Sequence, residues 1–198
     1  MQTLVVRAQY KTQIRATILN AAREIFVHES YEAFSIRKLA AKIGYSPAAI
    51  YKHFTSKAEI FGCLVEESFS LLLRASEAVK EIEGEDPVVR LKRGMWAYVE
   101  FGLKNPDHYR FAFLLQANSA TRGQKPAASY EGLKKRIGVC IETGKFAEED
   151  PELVAQTLWA AAHGVTSLLI QRPGFPWVQK RRLIGRVIDN AVDGFRAK

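Results

Sequence analysis

The sequence has little cysteine and no long apolar run. Its two cysteines, Cys63 and Cys140, lie far apart and lack the spacing of metal ligands, so we expect free thiols in a reducing compartment. No apolar run approaches the ~20 residues that cross a bilayer, which predicts no membrane-spanning segment. The apolar stretch before Arg7 is too short for a secretory signal. We therefore expect a cytoplasmic protein that does not interact with membranes.

Signatures of catalysis are also missing from the sequence. It contains no nucleophile elbow, no glycine-rich phosphate loop, and no cluster of His, Asp and Glu residues at metal-ligand spacing. The histidines are spread over separate predicted helices. An all-helical enzyme that uses His163 with a carboxylate or with Cys140 is therefore the weakest alternative. We expect no catalytic residues, no metal and no cofactor.

Positive charge is concentrated at the two ends of the chain. The formal net charge is +8, and residues 1–60 carry nine basic and four acidic residues, while residues 171–198 carry seven and two. Residues 61–170 carry 13 basic and 15 acidic residues. A basic N-terminal segment on a slightly acidic body indicates a module that faces a polyanion. A solvated charged surface without a partner is the alternative at this point.

The pattern of apolar and helix-ending residues predicts helices throughout. No segment alternates apolar and polar residues over the length of a strand. The predicted helices cover residues 12–27, 36–43, 48–54, 57–81, 87–104, 106–116, 127–143, 151–171 and 177–196, and residues 117–127 form the most loop-like stretch. The fourth helix would be on the order of 40 Å long at about 1.5 Å per residue. The sequence thus predicts an all-α fold of about nine helices.

Residues 36–54 have the spacing of a helix-turn-helix. Ser35 is placed to cap the first helix, Gly44 to end it, and Ser46-Pro47 to begin the second. The second helix of such a motif enters the DNA major groove by its N-terminal residues. The residues left to project outward are Ser46, Pro47, Ala48, Tyr51, Lys52 and His53. A helical hairpin in an ordinary bundle is the alternative on spacing alone.

The same region resembles the N-terminal domain of TetR-family transcriptional regulators. The resemblance covers residues 12–60 and rests on the segments Ser35-Ile36-Arg37-Lys38-Leu39-Ala40, Gly44-Tyr45-Ser46, Ile50-Tyr51-Lys52-His53-Phe54 and Ser56-Lys57. The Tyr-x-His-Phe-x-x-Lys pattern after a Gly-x-Ser turn is the family's most specific signature. The resemblance implies a three-helix helix-turn-helix head, residues 1–58, and a six-helix bundle for ligand binding and dimerisation, residues 59–198.

The C-terminal half is similar to one subclass of this family. The segments that carry the similarity are Leu158-Trp159-Ala160-Ala161-Ala162-His163-Gly164, preceded by Asp150-Pro151, and Asn105-Pro106 followed by Tyr109-Arg110-Phe111. The subclass is marked by a Trp-x-x-x-His-Gly helix.

The resemblance assigns roles to residues of the head. Tyr51, His53 and Lys57 would contact phosphates, and Lys57 also lies in the first turn of a helix, whose amides favour anions. Lys52 would either read a base or contact a phosphate. For the two capping serines, capping alone is the alternative to a DNA contact. The full DNA-binding set is Ser35, Arg37, Ser46, Pro47, Ala48, Tyr51, Lys52, His53 and Lys57.

Two positions depart from the family pattern. Ser30-Tyr31 stands where the family often has glycine between its first two helices, so we expect that turn to close differently. Ala48-Ala49 stands where members often have Gly-Thr or a similar pair. Because Ala48 offers only apolar contact, for example to a thymine methyl, hydrogen bonds to bases would fall on its polar neighbours.

A family member would also enclose an apolar effector pocket in its second domain. The candidate lining pairs, each three or four residues apart and so on one helix face, are Trp96 and Val99, Phe111 and Leu115, and Trp159 and His163. Tyr98 lies roughly 200° round the helix from Trp96, so the two cannot line the same wall, and the prediction takes the Trp96 face. A buried, hydrogen-bonded structural role is the alternative for His163.

The resemblance finally implies an assembly and a mechanism. The last two helices would form a homodimer, and the double-stranded DNA operator would be a pseudo-palindrome. The protein would be a repressor that a small apolar or amphipathic effector releases from DNA. The effector would favour a dimer whose recognition helices no longer match the spacing of about 34–36 Å between successive grooves. A constitutive DNA-binding dimer without an inducer is the alternative.

Overall fold

The computed structural model describes residues 2–29, 31–115 and 128–197; the predicted loop over residues 117–127 and Ser30 lie outside these ranges. Within them the chain forms nine α-helices and one π-helical turn, and no strand. They are α1 Gln2–His28, α2 Ile36–Ile43, α3 Pro47–Tyr51, α4 Lys57–Glu77, α5 Pro87–Lys104, α6 Pro106–Tyr109, the π-helical turn Arg110–Leu114, α7 Ala128–Glu142, α8 Pro151–Gln171 and α9 Lys180–Asp193. The predicted all-α fold is confirmed.

Local caps define the helices of the helix-turn-helix. The Ser35 hydroxyl accepts a hydrogen bond from the Lys38 amide at 3.2 Å. The Ser46 hydroxyl accepts one from the Ala49 amide, also at 3.2 Å. Gly44 ends α2 in the left-handed conformation, with a φ of 69° that residues with a side chain rarely adopt. The three predicted caps are confirmed, and each depends only on residues a few positions apart.

The long helix α4 ends earlier than predicted. Its last residue is Glu77 rather than Glu81, so its length is about 32 Å at 1.5 Å per residue. In the last turn the Ser76 carbonyl accepts a hydrogen bond from the Arg136 guanidinium at 2.9 Å. A side chain of α7 thus satisfies an acceptor at the helix end, a partner that the local sequence does not reveal.

Two other helices begin at different residues than predicted. α1 begins at Gln2 rather than near Thr12, because the intervening segment contains no proline or glycine to interrupt it. α9 begins at Lys180 rather than near Trp177. The Trp177 indole nitrogen donates to the Arg172 carbonyl at 2.9 Å, which holds this aromatic residue in the turn before the helix.

The predicted helix over residues 106–116 divides into α6 and the π-helical turn. In that turn the Leu115 amide donates to the Arg110 carbonyl, five residues earlier, at 2.7 Å. A π-helical turn holds more residues than an α-helical one, so it changes the direction in which the later side chains point. Phe111, inside this turn, is 1% exposed.

The described residues divide into two compact units. The first contains α1 to α3, α4 up to Ser68, and the segment from Asp107 to the end of the π-helical turn. The second contains Phe69–Pro106 and residues 128–197. This grouping differs from the predicted division between residues 58 and 59, because the first turns of α4 carry fully buried side chains of the first unit's core.

Aromatic rings form the core of the first unit. Phe26 stacks on Phe34 with ring centroids 4.1 Å apart. It also meets Phe61 and Phe111 edge-on, with centroids 5.3 and 6.0 Å away. Aromatic pairs of this kind contribute about 0.5–1.5 kcal/mol each beyond the burial of their surface. The cluster joins α1, α4 and the π-helical turn.

α8 is the central helix of the second unit and packs against α5, α7 and α9. Its buried residues are Val154, Ala155, Leu158, Ala162, Val165, Thr166, Leu169 and Ile170. By length and composition alone α8 is apolar enough to cross a membrane, which the prediction from apolar runs overlooked. Here these buried side chains form the core of the unit, and a core helix of this kind has the same composition without a membrane.

Candidate nucleic-acid interface and effector site

The helix-turn-helix packs by one apolar face. Leu39 and Ala40 of α2 and Ile50 of α3 are at most 1% exposed. Their burial against neighbouring helices turns the opposite face of the motif to solvent. Seven of the predicted DNA-binding residues are exposed: Ser35, Arg37, Ser46, Pro47, Ala48, Tyr51 and Lys52. The first turn of α3 and its surroundings are therefore accessible to a large partner.

Two of these exposed residues are cations without an acidic partner. Lys38 and Lys42 of α2 pair with glutamates of the preceding segment at 2.6 and 2.9 Å. Arg37 and Lys52, by contrast, form no ion pair with any residue that the structure describes. Arg37 lies in the first turn of α2 and Lys52 is the C-cap residue of α3. Exposed, unpaired cations on a helix-turn-helix are available to contact phosphates.

His53 and Lys57, the other two predicted DNA contacts, are half-buried. The Lys57 ammonium donates to the Tyr31 carbonyl at 3.2 Å and lies 4.4 Å from the centre of the Tyr31 ring. The Nδ1 atom of His53 is buried and has no hydrogen-bond partner among the described residues. A phosphate contact by either residue stays a prediction, and Lys57 would share its ammonium between the phosphate and Tyr31.

Arg15 belongs to this region, although sequence reasoning missed it. Its guanidinium donates to the His53 carbonyl, just beyond α3, and lies 4.0 Å from the centre of the Phe54 ring. Arg15 therefore fixes the end of the recognition helix to α1. The sequence contained one indication of this role. Arg15 lies three residues before Ile18, which is buried, and this spacing places a charged side chain on the packed face of α1.

In the second unit, three polar aromatic side chains form a hydrogen-bonded cluster. The Trp159 indole nitrogen donates to the Tyr98 hydroxyl at 3.2 Å, and that hydroxyl lies 3.3 Å from Nδ1 of His163. Burial lowers the pKa of His163, which favours the neutral imidazole. The hydroxyl of Tyr98 can then donate to Nδ1, so the three groups form a directed chain.

Two of the six predicted effector residues, Trp159 and His163, belong to this cluster. Trp159 and His163 come together, with ring centroids 5.9 Å apart. Their partner from α5 is Tyr98 rather than Trp96. The sequence analysis chose the face of α5 that carries Trp96 over the face that carries Tyr98. The correct choice depends on how α5 is aligned against α8, and helical periodicity does not give that alignment.

The other predicted effector residues lie in different surroundings. The Trp96 ring faces α9, where the Arg181 guanidinium lies 5.3 Å from its centre. Val99 is fully buried in the aliphatic core of the second unit. Phe111 belongs to the aromatic core of the first unit, and Leu115 is half-buried just after the π-helical turn. The six residues therefore do not line one wall within a single unit.

Comparison with known families matches both halves of the chain. A family model described as bacterial regulatory proteins, tetR family, matches residues 18–63. A second, described as the tetracyclin repressor-like C-terminal domain, matches residues 91–191. The chain belongs to the TetR family of bacterial transcriptional regulators.

Solved structures of TetR-family proteins have the same fold. A TetR family transcriptional regulator, PfmR, from Thermus thermophilus is 25% identical, with a TM-score of 0.68 over 91% of this chain and 99% of that one. A bacterial regulatory protein in the tetR family from Rhodococcus RHA1 is 21% identical, with a TM-score of 0.73 over 93% and 97%.

Membership of the TetR family identifies the chain as a DNA-binding transcriptional regulator. Regulators of this family bind DNA, typically as dimers and with small-molecule effectors, and they are not enzymes. The helix-turn-helix of α2 and α3 lies within the matched N-terminal segment.

Proposed function

We propose that this TetR-family protein is a repressor that binds a pseudo-palindromic operator as a homodimer and leaves it when a small apolar or amphipathic effector binds the second unit. The observation that carries the proposal is the exposed first turn of α3, in a helix-turn-helix that also exposes the unpaired cations Arg37, at the start of α2, and Lys52, at the end of α3. A helix that presents such a turn can approach base edges, while the adjacent cations contact phosphates.

The contacts to DNA divide by chemistry. The small residues at the start of α3, Ser46, Pro47 and Ala48, allow close approach to base edges, and Ala48 favours a thymine methyl. Lys52 reads a base or contacts a phosphate from the same helix. The remaining predicted residues, Ser35, Arg37, Tyr51, His53 and Lys57, position the motif on the DNA backbone.

An apolar stripe on α8 supports dimerisation through the last two helices. Leu153 and Leu168 are each 50% exposed, and with Ala160 and Gly164 they share one face of the helix. The exposed positions of α9 are largely charged or polar. A second copy of α8 would cover the leucines and bring the small residues together, as a two-fold interface requires.

The Tyr98–Trp159–His163 cluster supports an effector site in the second unit. Trp159 is 39% exposed, so part of its ring is open to a ligand. Tyr98 and the neutral His163 would supply the few polar contacts that orient an otherwise apolar molecule. An effector that binds more tightly to the DNA-incompatible conformation than to the competent one shifts the population away from the operator.

DNA selection with the purified protein at near-physiological salt tests the proposal. We expect enrichment of a pseudo-palindromic sequence. Tyr51→Ala and Lys57→Ala should weaken binding to this sequence, whereas Lys42→Ala, in which the lost cation is already paired with a glutamate at 2.9 Å, should have little effect. Salt-sensitive binding without an enriched sequence would contradict the proposed repressor function.

Two further measurements address the dimer and the effector. Sedimentation should show that Leu168→Glu dissociates the dimer, while Val89→Glu, which changes an equally accessible apolar residue of α5 (46% exposed), leaves it intact. Apolar and amphipathic compounds should release the protein from the selected DNA. A dimer that stays bound with every compound tested would favour the constitutive alternative.

A further inference from the structure

A cleft of the second unit lies between the segment that joins α4 to α5 and one face of α7. Its volume is about 180 Å³. Pockets for drug-sized ligands occupy roughly 300–1,000 Å³, so this cleft suits a smaller molecule. Its wall combines the apolar side chains of Ile82, Pro87 and Val139 with the cationic groups of Arg90, Lys135 and Arg136.

Arg136 enters this cleft without a counter-ion. One of its terminal nitrogens donates to the Ser76 carbonyl at 2.9 Å and the other lies 3.3 Å from the Ser76 hydroxyl. Its Nε atom is buried and has no hydrogen-bond partner among the described residues. Nor does its guanidinium form an ion pair with a carboxylate anywhere in the described ranges. All of its partners are neutral, and one strong donor remains unused.

The carboxylates of the cleft wall are already paired with other arginines. Glu85 pairs with Arg93 at 2.7 Å, and Glu81 pairs with Arg90. The Nε atom of Arg90 is buried and unpartnered within the described structure, as is that of Arg136. Lys135 is exposed and forms no ion pair with a described residue. The cleft wall therefore contains two cations, Lys135 and Arg136, that no carboxylate of the described residues neutralises.

A half-buried guanidinium without a counter-ion is costly, because it has lost water and gained no opposite charge. Burial, with the charge of Arg90 as a second cause, lowers the pKa of Arg136. A bound anion would supply the missing opposite charge.

We propose that this cleft binds a small organic carboxylate. The carboxylate lies beside the Arg136 guanidinium and accepts a hydrogen bond from the Lys135 ammonium, and the apolar body of the ligand lies against Ile82, Pro87 and Val139. These apolar contacts favour an organic acid over inorganic phosphate. The proposal does not depend on the assignment of an operator or an effector.

Calorimetric titration of the full chain with benzoate tests the proposal, with benzamide as a neutral molecule of the same shape. We expect saturable binding of benzoate and a loss of affinity on the order of tenfold in Arg136→Gln, because the cation beside the carboxylate is removed. Arg186→Gln, which removes an exposed arginine of α9, should bind benzoate like the original chain.

Nitrogen-15 NMR of the original chain gives a second measurement that does not depend on how Arg136→Gln folds. Benzoate should shift the Arg136 Nε–H resonance, and benzamide should not. Lys135→Gln, at an exposed position, should also weaken benzoate binding. Equal binding of benzoate and benzamide, an unmoved Nε–H resonance, or tighter binding of inorganic phosphate than of benzoate would each overturn the proposal.

Discussion

The first unit is built around aromatic rings, whereas the core of the second unit is mainly aliphatic. Phe26, Phe34, Phe61 and Phe111 meet in stacked and edge-on pairs in the first. In the second, valine, leucine and isoleucine side chains of α5, α8 and α9 fill the interior. Aromatic pairs have preferred geometries, while aliphatic cores tolerate repacking. The first core thus gives the helix-turn-helix a fixed support, whereas the second unit, for which we propose effector binding, has a core that tolerates repacking.

This difference can be followed by spectroscopy. All three tryptophans, Trp96, Trp159 and Trp177, lie in the second unit. Tryptophan fluorescence therefore reports on the aliphatic unit alone, whereas far-UV circular dichroism reports on the helices of both. The two signals separate the effects of substitutions in one unit from those in the other.

The largest effect is expected from Phe61→Ala. This substitution removes a fully buried ring that contacts Phe26 and Phe111, and should lower the free energy of unfolding of the first unit by about 3–5 kcal/mol. In urea denaturation the circular dichroism transition should move further than the fluorescence transition. If both transitions moved together, the two cores would unfold as one.

A large effect on function, without one on stability, is expected from the double substitution Arg37→Ala and Lys52→Ala. Removing two unpaired cations should reduce affinity for the selected DNA by roughly ten- to a hundredfold and lower the slope of its salt dependence by about two. Fluorescence anisotropy at several salt concentrations measures both. The control, Lys38→Ala with Lys42→Ala, removes two cations that are already paired with glutamates. Equal losses of DNA affinity in both double variants would contradict the prediction that the unpaired cations contribute more to binding than the paired ones.

A moderate, pH-dependent effect is expected from Glu152→Gln in the second unit. Hydrogen bonds from Tyr130, then Gln156 and Lys134, lower the pKa of Glu152 from 4.5 to about 2. Because the folded pKa is depressed, the carboxylate stabilises the fold fully above pH 4.5, and this contribution is lost as the pH falls through about 2. Urea midpoints should show Glu152→Gln to be less stable at neutral pH and equal to the original chain near pH 2. If the difference in urea midpoint between the two proteins stayed constant with pH, the stabilisation would not come from the charge of Glu152.

The smallest effect is expected from Glu100→Gln, which breaks a surface ion pair with Lys104 at 3.0 Å. Both side chains are largely exposed, so the free energy of unfolding should change by only about 0.2–0.5 kcal/mol. The change should shrink further in high salt, as thermal denaturation can show. A larger change would mean that a surface contact of the second unit contributes as much as its core.

Sequence reasoning succeeded where the determining contacts are local. Ser35 and Ser46 bond to amides three residues later, so their capping roles can be predicted from short segments. Arg15 and Tyr98 were missed because their partners lie 38 and 65 residues away, in the backbone of His53 and the ring of His163. The end of α4 was predicted incorrectly for the same reason, because the Ser76 carbonyl in its last turn is bonded by a distant residue, Arg136 of α7.

The π-helical turn makes the length of residues 110–114 as important as their chemistry. Deleting Ala112 would leave the number of residues that an ordinary α-helical turn accommodates. The side chains of Phe113, Leu114 and Leu115 would then rotate by about 100° relative to those before the deletion. Gain or loss of one residue here could therefore reposition Phe113, Leu114 and Leu115 while Phe111 stays in the aromatic core.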